Sequence, residues 1–271
     1  MSANLAFNLA ALVALVPAAL VRWRTNDGRD ALFYGVLILA AIGPALWSSV
    51  QLSVAWQTGF AMSLWVTIAA TMVLFLGLVA MTRQAWRLTP LLLPYLLLLG
   101  ILAMIWERAP EHPIPRAAPV AWLDAHIVFA IATYGLVTLA AVAGAAVFLQ
   151  ERALKAKRPT ALTRLLPAIS DSEVLEIRLL YAAEAVLALG VITGAATQHF
   201  LAHSSLALDN KTLFSLAAFA VIAALLLARH FSGWRGQRVA RWALIAYLLL
   251  TLAYPGIKFV TDVLMGGATL A

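Results

Sequence analysis

The sequence predicts an all-α fold: a polytopic integral membrane helix bundle of about eight transmembrane helices, with both termini on the non-cytoplasmic side. Three observations predict it. The chain is 63% hydrophobic and only 11% charged, with mean hydropathy +0.92, whereas a soluble domain carries roughly a quarter of its residues charged. Apolar runs recur at about the 20 residues that a helix needs to cross a bilayer. The basic residues crowd into alternate connections between those runs.

Taken in order, the runs cover residues 5–21, 31–54, 60–81, 90–106, 122–149, 179–199, 212–227 and 242–264. Each is bounded by charge, proline or glycine. The first run has no basic segment before it and is itself of spanning length, so the expectation is a membrane helix, not a cleaved leader. Gly43-Pro44, Pro90, Pro94 and Pro255-Gly256 are expected to kink helices or mark their ends. Residues 107–119 (ERAPEHPIPRAAP) are too polar to span and too proline-rich for a regular helix. Residues 150–178 read as the longest loop, with a basic first half and an amphipathic pattern that suits a short surface helix. The expected organisation is one membrane domain over 1–271, with a four-helix half over 1–121 and a second half over 122–264.

Charge sets the expected topology. Fifteen of the nineteen Lys and Arg residues follow the first, third, fifth and seventh runs. The remaining four are Arg108, Arg116, Lys211 and Lys258. The alternation closes without dropping or adding a helix, so those four connections face the cytoplasm and the termini face away from it. The formal net charge of +7 therefore serves topology. It forms no single basic face, which argues against a nucleic-acid partner. The chain has no cysteine, which excludes disulfides, thiol chemistry and covalent heme attachment through this protein's own thiols.

Ionisable groups inside a membrane are costly, so each needs a reason. His126 lies near the non-cytoplasmic start of run 122–149, and His199 ends run 179–199 on the same side. Two neutral imidazoles at one depth on different helices suit the axial positions of a six-coordinate heme iron, each with its second nitrogen held by an acceptor. The plainer reading of either histidine is an interfacial polar residue. His203, one turn further out, is an alternative ligand, and His112 is a weaker one. His230 stands at the opposite face and fits a separate site or the headgroup layer. Asp124, two residues before His126, cannot share its helical face. Glu184 reads as a carboxylate about one turn into its helix. Lys258 and Asp262 read as an i, i+4 pair, with Lys258 also a candidate partner for a heme propionate. The nine tryptophans gather toward helix ends as an aromatic belt.

The segment RHFSGWRGQRVARW (229–242), followed by ALIAYLLLTLAYPGIKFV, resembles the C-terminal signature of the cytochrome c assembly protein family. Its GWRG step at Gly233–Gly236 is the most specific part. DAHIVFAIATYGLVTLAAVAGAAVFLQERALK, with a tyrosine eight residues after its histidine, is similar to a helix of the CcsA-like HemX/YpjD group. VITGAATQHF resembles the next helix there, where a Thr-Gly step precedes an outer histidine, and DNKTLFSLAAF resembles the start of the helix after it. The resemblance covers about residues 122–260; the first four runs agree in length and hydropathy only. It implies that His126 and His199 take the outer heme-ligand positions. The tryptophan-rich WWD loop of the wider family is absent, since the corresponding stretch reads HSSLALDNKT.

These readings together imply an inner-membrane protein of bacteria that binds b-type heme non-covalently at the outer membrane face. It would hold or transfer heme in cytochrome c assembly, acting with other assembly proteins or an apocytochrome, and it leans away from being the ligase enzyme itself. The alternatives are an accessory subunit of a membrane complex without heme, and a small-solute or ion transporter.

Overall fold

The computed structural model describes residues 2–24, 30–54, 57–107, 109, 112–113, 120–202 and 209–265. His203, and the side chain of His112, lie outside the described residues. The helices are α1 (Ser2–Arg24), α2 (Ala31–Val54), α3 (Phe60–Met81), α4 (Thr89–Ile105), α5 (Val120–Lys155), α6 (Ala161–Leu165), α7 (Ile169–Ala202), α8 (Asn210–Ser232) and α9 (Gln237–Thr251). Seven described helices are long and apolar enough to cross a membrane, and Leu5–Val21 adds a shorter apolar stretch within α1. The chain is a multi-pass membrane helix bundle, as the composition predicts.

The contacts between connections sort the helix ends into two faces. On one, Phe33 at the start of α2 meets Trp86 of the α3–α4 connection edge to face. On the same face the backbone N–H of Gly236, between α8 and α9, donates to Glu173 at the start of α7 at 2.7 Å. This is the basic face. On the opposite face Phe60, Trp106 and Phe259 form an aromatic cluster with centroids 5.3–5.9 Å apart. There the two-residue strands β1 (Gln57–Thr58) and β2 (His112–Pro113) pair antiparallel. The sorting matches the alternation that the loop charges predict.

Two helices, α2 and α3, end where hydropathy places them, while α1, α5, α7 and α8 run on past their apolar cores. The largest difference is α7. It begins at Ile169, ten residues before the expected 179, and it draws much of the expected loop 150–178 into helix. What remains is a short connection holding α6, the small surface helix expected there. Thr160 caps α6 with Thr163 in a reciprocal pair of hydrogen bonds. Gln150 Nε2 ties that connection to α5 by donating to the carbonyls of Thr163 and Pro167 at 2.9 and 3.0 Å. A helix ends where its backbone groups find other partners, not where hydropathy falls.

The prolines do not break their helices. Pro44 and Pro94 lie inside α2 and α4, and Pro90 sits in the first turn of α4. Beyond α9 the chain widens into π-helical turns at Leu252–Gly256 and Phe259–Leu264. Pro255 lacks the N–H that an α-turn would use, and a wider turn accommodates that loss.

One buried apolar cluster extends from Ala11 in α1 to Leu250 in α9. Against it, α4, α5 and α9 meet through three tyrosines, of which Tyr134 is buried and Tyr95 and Tyr247 are partly buried. Tyr247 Oη bonds both Tyr95 Oη and, at 3.3 Å, Tyr134 Oη. Tyr134 Oη also reaches Thr251 Oγ1 at 3.1 Å, and that hydroxyl donates to the Tyr247 carbonyl. Tyr247→Phe removes the shared hydroxyl and leaves two buried phenols with fewer partners. A net contribution of about 1 kcal/mol per bond leads us to expect a loss of about 2 kcal/mol, read as a lower thermal midpoint in detergent.

Candidate functional site

The α5–α7 seam is the most extensive helix pairing in the bundle. Small residues let the two helices approach: Gly144 on α5 meets Glu176, and Gly190 and Gly194 on α7 meet Phe129 and His126. The pairing is antiparallel. His126 of α5 therefore lies against Gly190 and Gly194 at the opposite-face end, while Gly144 lies against Glu176 toward the basic face.

His126 is half-buried, six residues into α5. Its Nδ1 lies 2.9 Å from the carbonyl oxygen of Gly190. A carbonyl only accepts, so Nδ1 carries the proton, and in the neutral ring Nε2 keeps its lone pair. A ring with one nitrogen donated to a backbone carbonyl and the other bare is the arrangement of a metal-ligating histidine. The residues present therefore fit an axial ligand to heme iron.

Gly194 makes room for the ring. A Cβ at that position would stand 2.8 Å from His126 Cε1 and 3.1 Å from Nδ1. Thr193, beside it, is buried, and its hydroxyl donates to the Leu189 carbonyl at 2.8 Å with Gly190 O at 3.1 Å. The Thr-Gly step of VITGAATQHF thus supplies a carbonyl that anchors the imidazole and a gap that holds it. Gly194→Val is expected to rotate the ring off Gly190. Loss of an orienting partner weakens metal sites by roughly 10–100-fold; were this ring to ligate heme iron, hemin titration of the variant would shift by that much.

The other sequence candidates fall as follows. His199 is on α7, exposed, five residues beyond Gly194. That offset is about 140° around the helix, so the α5–α7 seam does not itself bring His199 onto His126. His230 is exposed near the end of α8 on the basic face, edge to face with Phe231 at 4.9 Å. It sits at the other end of the bundle from His126. Lys258, between the two π-helical turns, and Asp262, on the second, are both buried, and Thr261 Oγ1 donates to Asp262 Oδ1 at 2.8 Å.

Glu184 needs a correction. Because α7 starts at Ile169, Glu184 is fifteen residues into it, about 22 Å along the axis at 1.5 Å per residue. It stands mid-span, not one turn in. Both its carboxylate oxygens are buried without a hydrogen-bond partner among the described residues.

Sequence reasoning missed two features. Glu176 is fully buried, and both its oxygens likewise lack a hydrogen-bond partner among the described residues. It was hidden inside the supposed loop. The tyrosine cluster was also missed, because its members lie 39 and 113 residues apart in sequence and no local period connects them. Among the described residues no group of three or more His, Asp or Glu side chains could hold a metal ion.

The family model described as cytochrome C assembly protein matches residues 31–265. The Azospirillum brasilense protein described as an uncharacterized 28.8 kDa protein in a nifR3-like 5′ region is 51% identical over 271 residues, covering 98% of this chain and all of that one. Inner membrane protein YpjD of Escherichia coli K12 is 25% identical over 189 residues, 69% of each chain. Protein HemX of Brevibacillus brevis is 24% identical over 163 residues, 59% of this chain and 60% of its own. No solved structure matches the chain.

Proposed function

Because the chain belongs to the cytochrome c assembly protein family, which supports a role in cytochrome c biogenesis, we propose that it binds heme and holds or transfers it for that process. One observation carries the reading: His126 has Nδ1 bonded to the Gly190 carbonyl, which leaves Nε2 as a ligand for iron. Heme here is cargo, non-covalent and b-type, because the chain has no cysteine to attach it. Bound through His126, it would present an iron whose second axial position falls to His199, or to His203 as the alternative. His230, at the other end, would serve only a separate site. Lys258 is the candidate partner for a propionate. The absence of a WWD loop assigns covalent attachment to a partner protein.

We place this site on the outer face of a bacterial inner membrane, with both termini on that side, on the strength of the loop charges. The relative named inner membrane protein YpjD supports that location.

The test is an absorption spectrum of the detergent-purified protein, oxidised and then dithionite-reduced, with a pyridine hemochrome count. Sharp reduced bands at close to one heme per chain are expected. A flat spectrum that added hemin does not change would overturn the reading and leave an accessory subunit of an assembly complex.

A second reading, a carrier, is favoured by one observation: α7 carries Glu184 to mid-span with both oxygens buried. Intramembrane carboxylates of this kind serve proton- or ion-coupled pathways. Solute uptake into liposomes that disappears in Glu184→Gln would support it.

A further inference from the structure

We propose that the basic face carries a binding site for the phosphodiester headgroup of an anionic phospholipid, between the end of α5 and the start of α9. The site is independent of the heme reading. A cleft of about 410 Å³ opens there, lined by Lys155, Arg235, Arg238 and Arg241, with Trp234 and Glu151 in its wall. Four cations face one carboxylate, and that carboxylate is engaged by Lys155 at 3.6 Å. Among the described residues no carboxylate pairs with Arg235, Arg238 or Arg241. All three are exposed. Three exposed arginines lining one open cleft favour an anion there, and guanidinium suits phosphate oxygens in a bidentate fit.

The cleft is built, not a chance meeting of flexible side chains. Its floor is the turn 233–236. Gly233 and Gly236 both have positive φ, at 63° and 61°, a region that a side chain would disfavour. A Cβ on Gly236 would also run into the Glu151 carboxylate. The turn is held from two sides. Arg229 Nη1 donates to the Trp234 carbonyl at 2.6 Å, and the Gly236 N–H donates to Glu173 at 2.7 Å. The first turn of α9 follows directly, so its positive dipole end adds to the cationic field.

The surroundings select a lipid over a soluble anion. Phe231, at 78% exposure, and Trp242 are exposed aromatics next in sequence to cleft residues Ser232 and Arg241. Such side chains belong at the headgroup level. Below them an exposed apolar stripe descends α9 through Ile245, Leu248 and Leu252. These residues share the helical face of Arg238 and Arg241 by their spacing of three and four. A phosphate in the cleft thus has a hydrophobic track leading from it into the span, which an acyl chain would follow. Basic pockets between helix ends at a membrane face take anionic headgroups in this way.

The test uses the full-length protein, delipidated in neutral detergent. Phosphatidylglycerol, phosphatidylcholine and inorganic phosphate are added separately, with readout by native mass spectrometry and thermal midpoint. Retention of one phosphatidylglycerol and a raised midpoint are expected, with no such effect from the other two. Arg235→Gln/Arg238→Gln/Arg241→Gln should weaken retention at least tenfold, and Arg238→Gln alone should weaken it partly. Arg158→Gln/Arg164→Gln, on the same face but outside the cleft, should retain the lipid as the parent does. Equal retention of phosphatidylcholine, an unaltered response in both cleft variants, or an equal shift from inorganic phosphate alone would overturn the proposal.

Discussion

On the proposed heme reading, His126→Ala is expected to empty the protein of heme while leaving the bundle folded. The side chain is half-buried at the opposite-face end of the α5–α7 seam, where Nδ1 bonds Gly190 O. Removing it costs that bond, a net loss of about 1 kcal/mol, which a bundle of this size should tolerate. Iron would lose a direct ligand, so affinity should fall at least as far as the roughly 10–100-fold seen when only an orienting partner is lost. The measurement is heme per chain by pyridine hemochrome, alongside the thermal midpoint. Imidazole added to the variant should restore part of the Soret band, because Gly194 leaves space where the ring had been. Full heme content in His126→Ala would remove this histidine from the site. The same loss in His199→Ala would identify the second ligand, and no loss there would pass that role to His203.

The largest loss of stability is expected from Gly144→Leu. A Cβ on Gly144 would stand 2.5 Å from Glu176 Oε1 and 3.3 Å from the Ala240 Cα. Three helices, α5, α7 and α9, converge on this glycine, and two of the three atoms nearest that Cβ belong to the Glu176 carboxylate, which is fully buried. Overpacking of this kind costs roughly 1–3 kcal/mol and occasionally more. Taking about 3 kcal/mol, the thermal midpoint should drop by roughly 6–12 °C on the scale of domains this long. The pair is coupled, so Gly144→Leu/Glu176→Ala should recover part of the loss, a departure from additivity expected of side chains in contact. A Gly144→Leu protein as stable as its parent would show that the seam is not closed at this point.

Much of the fold could be read in advance because hydropathy and charge are local properties that add along the chain. Each apolar run found its helix, and the loop charges alternated as the two faces require. Pro255-Gly256 marked a real irregularity, although its form, a π-helical widening, depends on which backbone groups are left to pair. His126 was legible because a histidine near the start of an apolar run is conspicuous. The bond that orients its ring was not legible, since that depends on Gly190, which lies 64 residues away on another helix. Glu184 was misplaced and Glu176 overlooked for one reason. The polar window 169–178 reads as loop by composition, yet α7 continues through it because its backbone hydrogen bonds continue.

The sequence by itself determined that this chain is a membrane bundle, where its apolar runs lie and how its loop charges alternate. These follow from the cost of placing each residue in apolar surroundings, a cost set residue by residue. Only the tertiary structure decided which carbonyl turns His126 into a one-sided donor and which glycine holds its ring. The same holds for the tyrosines that tie α4, α5 and α9 together, and for the four cations that share one cleft. Those outcomes depend on which helices lie side by side and in what register. Helix packing sets that register through the meeting of small residues on distant segments, and no single stretch of sequence contains it.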